Sequence, residues 1–168
     1  MMQQRKPDIG FIPTPLAAID AMLALANVTD HDILYDLGCG DGRILIRAAQ
    51  QSGIRGVGID IDPQRVREAE DQAQQAGVGD RLEFCCADLF DSDVSAASVV
   101  ILYLLPHLNL RLRPRLLHQL KPGSRIVSHD FDMGNWVADR LVKMHLEDEL
   151  TLYYWVVPET LPECLRGE

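Results

Sequence analysis

"DILYDLGCGDGRILIRAA", residues 32–49, decides how this chain is read. Its first part is a short, nearly continuous apolar run ending at Leu37, as expected of a strand buried on both faces of a sheet. Gly38, Gly40 and Gly42 then alternate through a turn that carries Asp41, with Asp36 at the end of the strand before it. Beyond the turn Leu45, Ala48 and Ala49 recur at helical spacing as far as Gly53. A glycine-rich turn between a strand and a helix usually holds a nucleotide.

Working outward, "RGVGID" (55–60) predicts a second strand. Asp62-Pro63 then pairs a cap with a proline, and Val66, Ala69, Ala73 and Ala76 mark one helical face until Gly77. "RLEFCCAD" and "SVVILYLL" read as the third and fourth strands. Pro106 and Pro114 are expected to break the next segment into two short helical pieces, the second ending at Leu120. After the turn "PGS", "RIVSHDF" gives a fifth strand. "RLVKMHL" and "LTLYYWVV", separated only by "EDE", predict an antiparallel hairpin, with Trp136, Tyr153, Tyr154 and Trp155 as its core. Upstream, Thr14-Pro15 predicts a helix over 14–26, with Thr14 as N-cap and Leu16, Ile19 and Leu23 on one face. Strands alternating with helices predict an α/β fold, a parallel sheet covered on both faces. Its ligand is expected beyond the C-terminal strand ends, where the strand order reverses.

At 168 residues the chain fits one domain, 1–168, divided into an N-terminal helix and lid segment (1–30) and a sheet core (31–168). Net charge is −9 and the isoelectric point near 4.9, which disfavours phosphate-led binding of nucleic acid, so no nucleic-acid partner is expected. Cys39, Cys85, Cys86 and Cys164 form no C-x-x-C pair, and His107 and His118 have no ligand partners at a useful spacing. Neither a disulfide framework nor a metal site is expected, and the two histidines read as surface residues. The start "MMQQRKPDIG" lacks an apolar stretch, which predicts a cytoplasmic chain with no membrane anchor. Oligomeric state leaves no mark on the sequence.

Charge and spacing narrow the nucleotide. The turn reads G-x-G-x-G, with Arg43 where the dinucleotide fingerprint places its third glycine, and no lysine follows as in a phosphate-binding Walker loop. Asp36, Asp41, Asp60 and Asp88 are all expected near one crevice. At about 6 Å and an effective dielectric near 20, each would repel a phosphate charge by roughly 3 kcal/mol. A cationic cofactor with a ribose fits better than a pyrophosphate. Asp60 lies 22 residues beyond Gly38, near the usual offset of a ribose-gripping acid. Because Asp62 adjoins Pro63 and serves as the cap, Asp60 is left for the ribose. Asp88 reads either as the acceptor for an adenine amino group or as a loop aspartate.

Over almost its full length the chain resembles the class I S-adenosylmethionine-dependent methyltransferases. "DLGCGDG" looks like their first motif, "GVGID" their second and "CADLF" their third. The resemblance implies a Rossmann-like, seven-stranded, mostly parallel sheet with its final strand inserted antiparallel, and S-adenosyl-L-methionine as cofactor. It further implies that Asp36 and the Gly38-Cys39-Gly40 turn hold the methionine portion, Asp60 the ribose, and Asp88 with Leu89 the adenine, with Ile61 among the cofactor-binding residues. Thr14 either caps its own helix or offers its hydroxyl to the methionine carboxylate, in a segment expected to act as a lid.

A narrower resemblance rests on "FIPTPLAAIDAML", "DLGCGDGRILIRAA", "SVVILYLLP" and "LKPGSRIVSHDFDMGNW". These look like the small bacterial relatives of the mitochondrial protein-lysine methyltransferases, which implies N-methylation of lysine in a protein substrate. "LYLLP" replaces the Asn/Asp-Pro-Pro-Tyr signature used on exocyclic amines of bases. A small-molecule methyltransferase and a non-catalytic S-adenosylmethionine-binding protein are the alternatives. Tyr103 is the candidate catalytic residue, as an orienting hydroxyl near the acceptor or else an aromatic packed into the sheet. His129 and Asp130 either line the same crevice or cap a turn.

Overall fold

In a computed structural model, which describes residues 14–166, the five apolar runs form strands β1 (Ile33–Leu37), β2 (Arg55–Asp60), β3 (Leu82–Cys86), β4 (Val99–Leu102) and β5 (Arg125–His129). The C-terminal hairpin supplies β6 (Arg140–His145) and β7 (Glu149–Val156). All seven join one sheet in the order β3-β2-β1-β4-β5-β7-β6. The first five are parallel, while β7 runs antiparallel between β5 and β6, the insertion that the resemblance implies.

Register aligns the strand ends. Leu37 pairs with Ile59 and Leu102, Ile59 with Cys85, and Leu102 with Ser128, so these five residues form one row across the sheet. One residue further on stand Gly38, Asp60, Cys86, Tyr103 and His129. The order reverses between β1 and β4, so Gly38 and Tyr103 flank the switch point where such sheets bind ligands.

Strand alternation divides the core. Leu34, Val99, Ile101 and Val127 face three helices, α1 (Leu16–Leu25), α2 (Arg43–Ser52) and α3 (Pro63–Gln75). Tyr35, Val100, Leu102 and Ile126 face α4 (Pro106–Gln119) and the loop before β6. The helices end where expected. Asp62 accepts from the Gln64 amide with Pro63 in the first turn, and Gly53 closes α2 in the left-handed region. Trp155 and Trp136 are buried, the Trp155 Nε1–H donating to the Trp136 carbonyl at 2.9 Å, whereas Tyr153 and Tyr154 are half-buried.

Three expectations need correction. Thr14 does not cap α1: Pro15 holds the N-cap position without a side-chain cap bond, and Thr14 is buried. Leu16 is 57% exposed, and the face that packs comprises Ala18, Ile19, Met22 and Leu23. Pro114 does not divide α4, which runs unbroken through it. The carbonyl that Pro114 deprives of a helical partner belongs to Leu110, a residue on the exposed side of the helix. Meanwhile Leu108, Leu112, Leu116 and Leu117 hold the buried side together. Residues 1–13 of the expected N-terminal helix and lid segment lie outside the described residues.

Candidate active site

The glycine turn is closed by backbone and carboxylate together. Amides of Gly38 and Cys39 both donate to the Ile59 carbonyl, at 2.8 and 3.1 Å, and the Gly40 amide donates to Asp60 Oδ2 at 2.9 Å. Gly58 permits this approach, since a Cβ there would stand 2.9 Å from Cys39 Sγ and 2.7 Å from Phe84. Gly42 performs the packing that the dinucleotide pattern assigns to its third glycine. Its φ is +79°, and a Cβ would lie 2.9 Å from the Ala69 Cβ and 3.0 Å from the Phe84 ring. Arg43 therefore has a different role and forks onto Asp41, with Nε 3.1 Å from Oδ1 and Nη2 2.7 Å from Oδ2. That pair answers one of the four negative charges read from the sequence.

Asp60 is not spare, as its sequence position suggested. Oδ2 takes the Gly40 amide and Oδ1 takes the Asp62 amide at 2.9 Å, so the carboxylate ties the first turn to the start of α3. Each oxygen keeps a second lone pair for a further donor. Asp36 is buried with Oδ2 unpartnered, and burial, then Asp60, then Asp41 push its carboxyl up to about 7. Cys39 is buried and its thiol is pushed up by burial, then by Asp36 and Asp60, so it stays protonated. The third strand end is drawn alongside: the Ala87 amide donates to the Asp60 carbonyl and Cys86 Sγ reaches the Ile61 carbonyl. Asp88 follows at once, accepting from the Phe90 amide at 3.0 Å at the head of a short turn from Leu89. A buried carboxyl with one unpartnered oxygen, at the end of the strand that leads into a glycine turn, suits a cationic, hydrogen-bond-donating ligand better than a pyrophosphate.

On the other side of the switch point Tyr103 and His129 stack, ring centroids 3.9 Å apart, with Phe131 6.3 Å from Tyr103. His129 is buried. Its Nε2 lies 3.6 Å from Asp130 Oδ2, and its Nδ1 has no partner. Burial lowers the imidazole's pKa, with Asp130 opposing, so it is neutral at physiological pH. Burial and Asp130 raise the Tyr103 phenol, which stays protonated. Asn109, wholly buried in α4, donates to Ser128 Oγ and to the carbonyls of Phe131 and Asp132, fixing the turn beyond β5. Sequence reading missed Asn109; a polar residue on the leucine face of a helix was the available signal. His107 and His118 are exposed, and among the described residues no cluster suits a metal ion.

The same arrangement occurs in known proteins. A crystal structure described as an RNA methyltransferase from Salinibacter ruber, in complex with S-adenosyl-L-homocysteine, superposes with a TM-score of 0.85 at 55% identity, covering 90% of this chain and 97% of that one. With its strand-end cradle, the chain is an S-adenosylmethionine-dependent methyltransferase of the Rossmann-like class. Residues 36–140 match the ANTKMT methyltransferase domain, and the chain belongs to that family. A protein-lysine N-methyltransferase of Saccharolobus islandicus is 40% identical over 157 residues, which is 91% of this chain and 96% of that protein. A human lysine N-methyltransferase named for a component of ATP synthase is 28% identical over 82% of this chain, which spans only 58% of that relative.

Proposed function

We propose that this enzyme N-methylates the ε-amine of lysine in a protein. The observation that carries the reading is the 40% identity to a protein-lysine N-methyltransferase, sustained over nearly all of both chains. Charge agrees with it: a net −9 favours a cationic acceptor over a polyphosphate. In this reading Asp36 and Gly38-Cys39-Gly40 hold the methionine portion, with Thr14 near its carboxylate. Asp60 and Ile61 take the ribose, and Asp88 and Leu89 the adenine. The cofactor supplies an electrophilic methyl group on a sulfonium. The chain's own residues position the acceptor and keep water out, the main requirement of an in-line transfer. Tyr103, being protonated, serves there as a donor and an aromatic wall rather than as a base. The acidic chain and its free cysteines suit the cytoplasm. No helix among the described residues is long and apolar enough to cross a membrane.

A second reading, methylation of RNA, is favoured by the 55% identical Salinibacter ruber structure, which is described as an RNA methyltransferase. One experiment separates the two. The enzyme is incubated with methyl-labelled cofactor and either the soluble protein or the total RNA of the host. Lysine methylation predicts protease-sensitive label that yields methyl-lysines on acid hydrolysis. Label confined to ribonuclease-sensitive material would overturn it.

A further inference from the structure

We infer that His129 is a positioning residue for the methyl acceptor, acting through the ring of Tyr103 on which it stacks. The inference rests on the reading of the β4–β5 side of the crevice as the acceptor side. His129 and Tyr103 are neighbours in the row just beyond the strand ends, and their rings lie 3.9 Å apart at 25°. Tyr103 follows the last residue of β4, so no ladder partner of its own fixes it, and its ring is half-exposed to the crevice. His129, by contrast, is held from every side. It pairs with Leu152 of β7, and the next residue, Asp130, donates its amide to the Thr151 carbonyl and accepts the Thr151 amide on Oδ1. Ser128 and Phe131 on either side are gripped by Asn109. A ring on a fixed stretch of backbone thus stacks on Tyr103, whose other stacked neighbour, Phe131, lies farther off at 6.3 Å between centroids.

The fold carries a cost here that packing does not explain. His129 is 4% exposed and its Nδ1 meets no donor or acceptor, whereas a phenylalanine would fill the space without an orphaned polar atom. What imidazole adds is a flat face that is compatible with a carboxylate at its edge: Asp130 Oδ2 lies 3.6 Å from Nε2. Asp130 itself has φ +67°, in the left-handed region where aspartate is enriched, and its carboxylate takes the Thr151 amide, which fixes this corner. The stack orients Tyr103 so that its hydroxyl and exposed face meet the incoming amine.

The test compares His129→Ala and His129→Phe in the full chain, with three readouts. Cofactor affinity by calorimetry should stay within about twofold of the parent in both variants. Initial rates are measured at limiting and saturating amounts of host soluble protein, or of host RNA if that is the fraction the parent labels. His129→Ala should lose at least tenfold at limiting acceptor and much less at saturation, and His129→Phe should restore most of the loss. The Tyr103 phenol, followed by NMR and assigned with Tyr103→Phe, should titrate nearer its ordinary value in His129→Ala than in His129→Phe. This last readout needs no acceptor, so it judges the stack even if the lysine reading fails. Parental rates and an unmoved Tyr103 titration in His129→Ala would overturn the inference. So would a His129→Phe variant as slow as His129→Ala, because a ring nitrogen would then be acting instead of the stacked face.

Discussion

The Gly40 amide donates to Asp60 Oδ2 at 2.9 Å, so the turn after β1 is closed by the last residue of β2. Asp60 also receives the Asp62 amide. The carboxylate expected to bind the ribose is thus already part of the cradle's frame.

Asp60→Ala should therefore lower both cofactor affinity and stability, because hydrogen bonds to a charged group are worth about 1.5–3 kcal/mol each. We expect at least a tenfold loss of affinity for S-adenosyl-L-homocysteine by calorimetry, together with a lower melting temperature. Asp60→Asn keeps one acceptor oxygen and should fall between. An unchanged melting temperature in Asp60→Ala would show that the Gly40 bond does not stabilise the turn.

Asp36 predicts a pH dependence. Its carboxyl, held at about 7 by burial and by Asp60 and Asp41, binds a proton that the unfolded chain, near its ordinary 3.8, has already lost. Between those values the native state holds the extra proton, so stability falls as pH rises towards 7 and the loss levels off above it. Asp36→Asn should be about as stable as the parent at low pH and more stable at pH 8, by thermal melts. In the proposed placement a cationic ligand favours the ionised carboxylate. Affinity for the cofactor should then rise towards pH 7 by up to about tenfold per unit, and flatten in Asp36→Asn.

Gly42 and Gly77 both have positive φ but different surroundings: a Cβ at Gly42 meets Ala69 and Phe84, whereas one at Gly77 meets nothing within 4 Å. Gly42→Ala combines a left-handed penalty of about 1–2 kcal/mol with overpacking of about 1–3 kcal/mol. Gly77→Ala should cost about 1–2 kcal/mol, the first of these alone. Urea unfolding of the two variants should separate them. Equal losses would mean that α3 yields to the added methyl.

At the opposite edge of the sheet, Arg125 binds Asp32 and the Ala26 carbonyl, and Asp32 also takes the Thr29 amide and the Ser98 hydroxyl. Arg125→Ala strands a buried carboxylate and should cost about 3–5 kcal/mol in urea. Cofactor affinity at temperatures where the variant is folded should stay within about twofold, since the strand ends that form the crevice lie at the other edge. A tenfold loss would mean that the two edges are coupled.

Much of the fold was legible in the sequence because its signals are local. Apolar runs bounded by glycine or proline mark β1, β2 and β4, and Asp62-Pro63 marks the start of α3 at the right residue. The errors arose where a tertiary contact outweighed a local rule. Pro114 breaks helices in general, but four buried leucines hold α4 through it. Thr14 has a capping sequence, yet the helix begins one residue later. The Asp60–Gly40 tie and the Tyr103–His129 stack join residues 20 and 26 positions apart, across strands whose order the sequence does not print.

The antiparallel insertion of β7 bears on how the chain is made. A ribosome delivers β1 to β5 before β7 exists, and until residues 149–156 emerge β5 has a bare edge. The glycine cradle, built from β1 to β3, can close during that interval. The corner around His129 and Asp130 cannot, because Leu152 and Thr151 are still unmade. Synthesis therefore completes the cradle first and the Tyr103 wall last. A chain stopped at residue 146 should accordingly expose β5 and aggregate, which light scattering of the truncated and whole chains would compare.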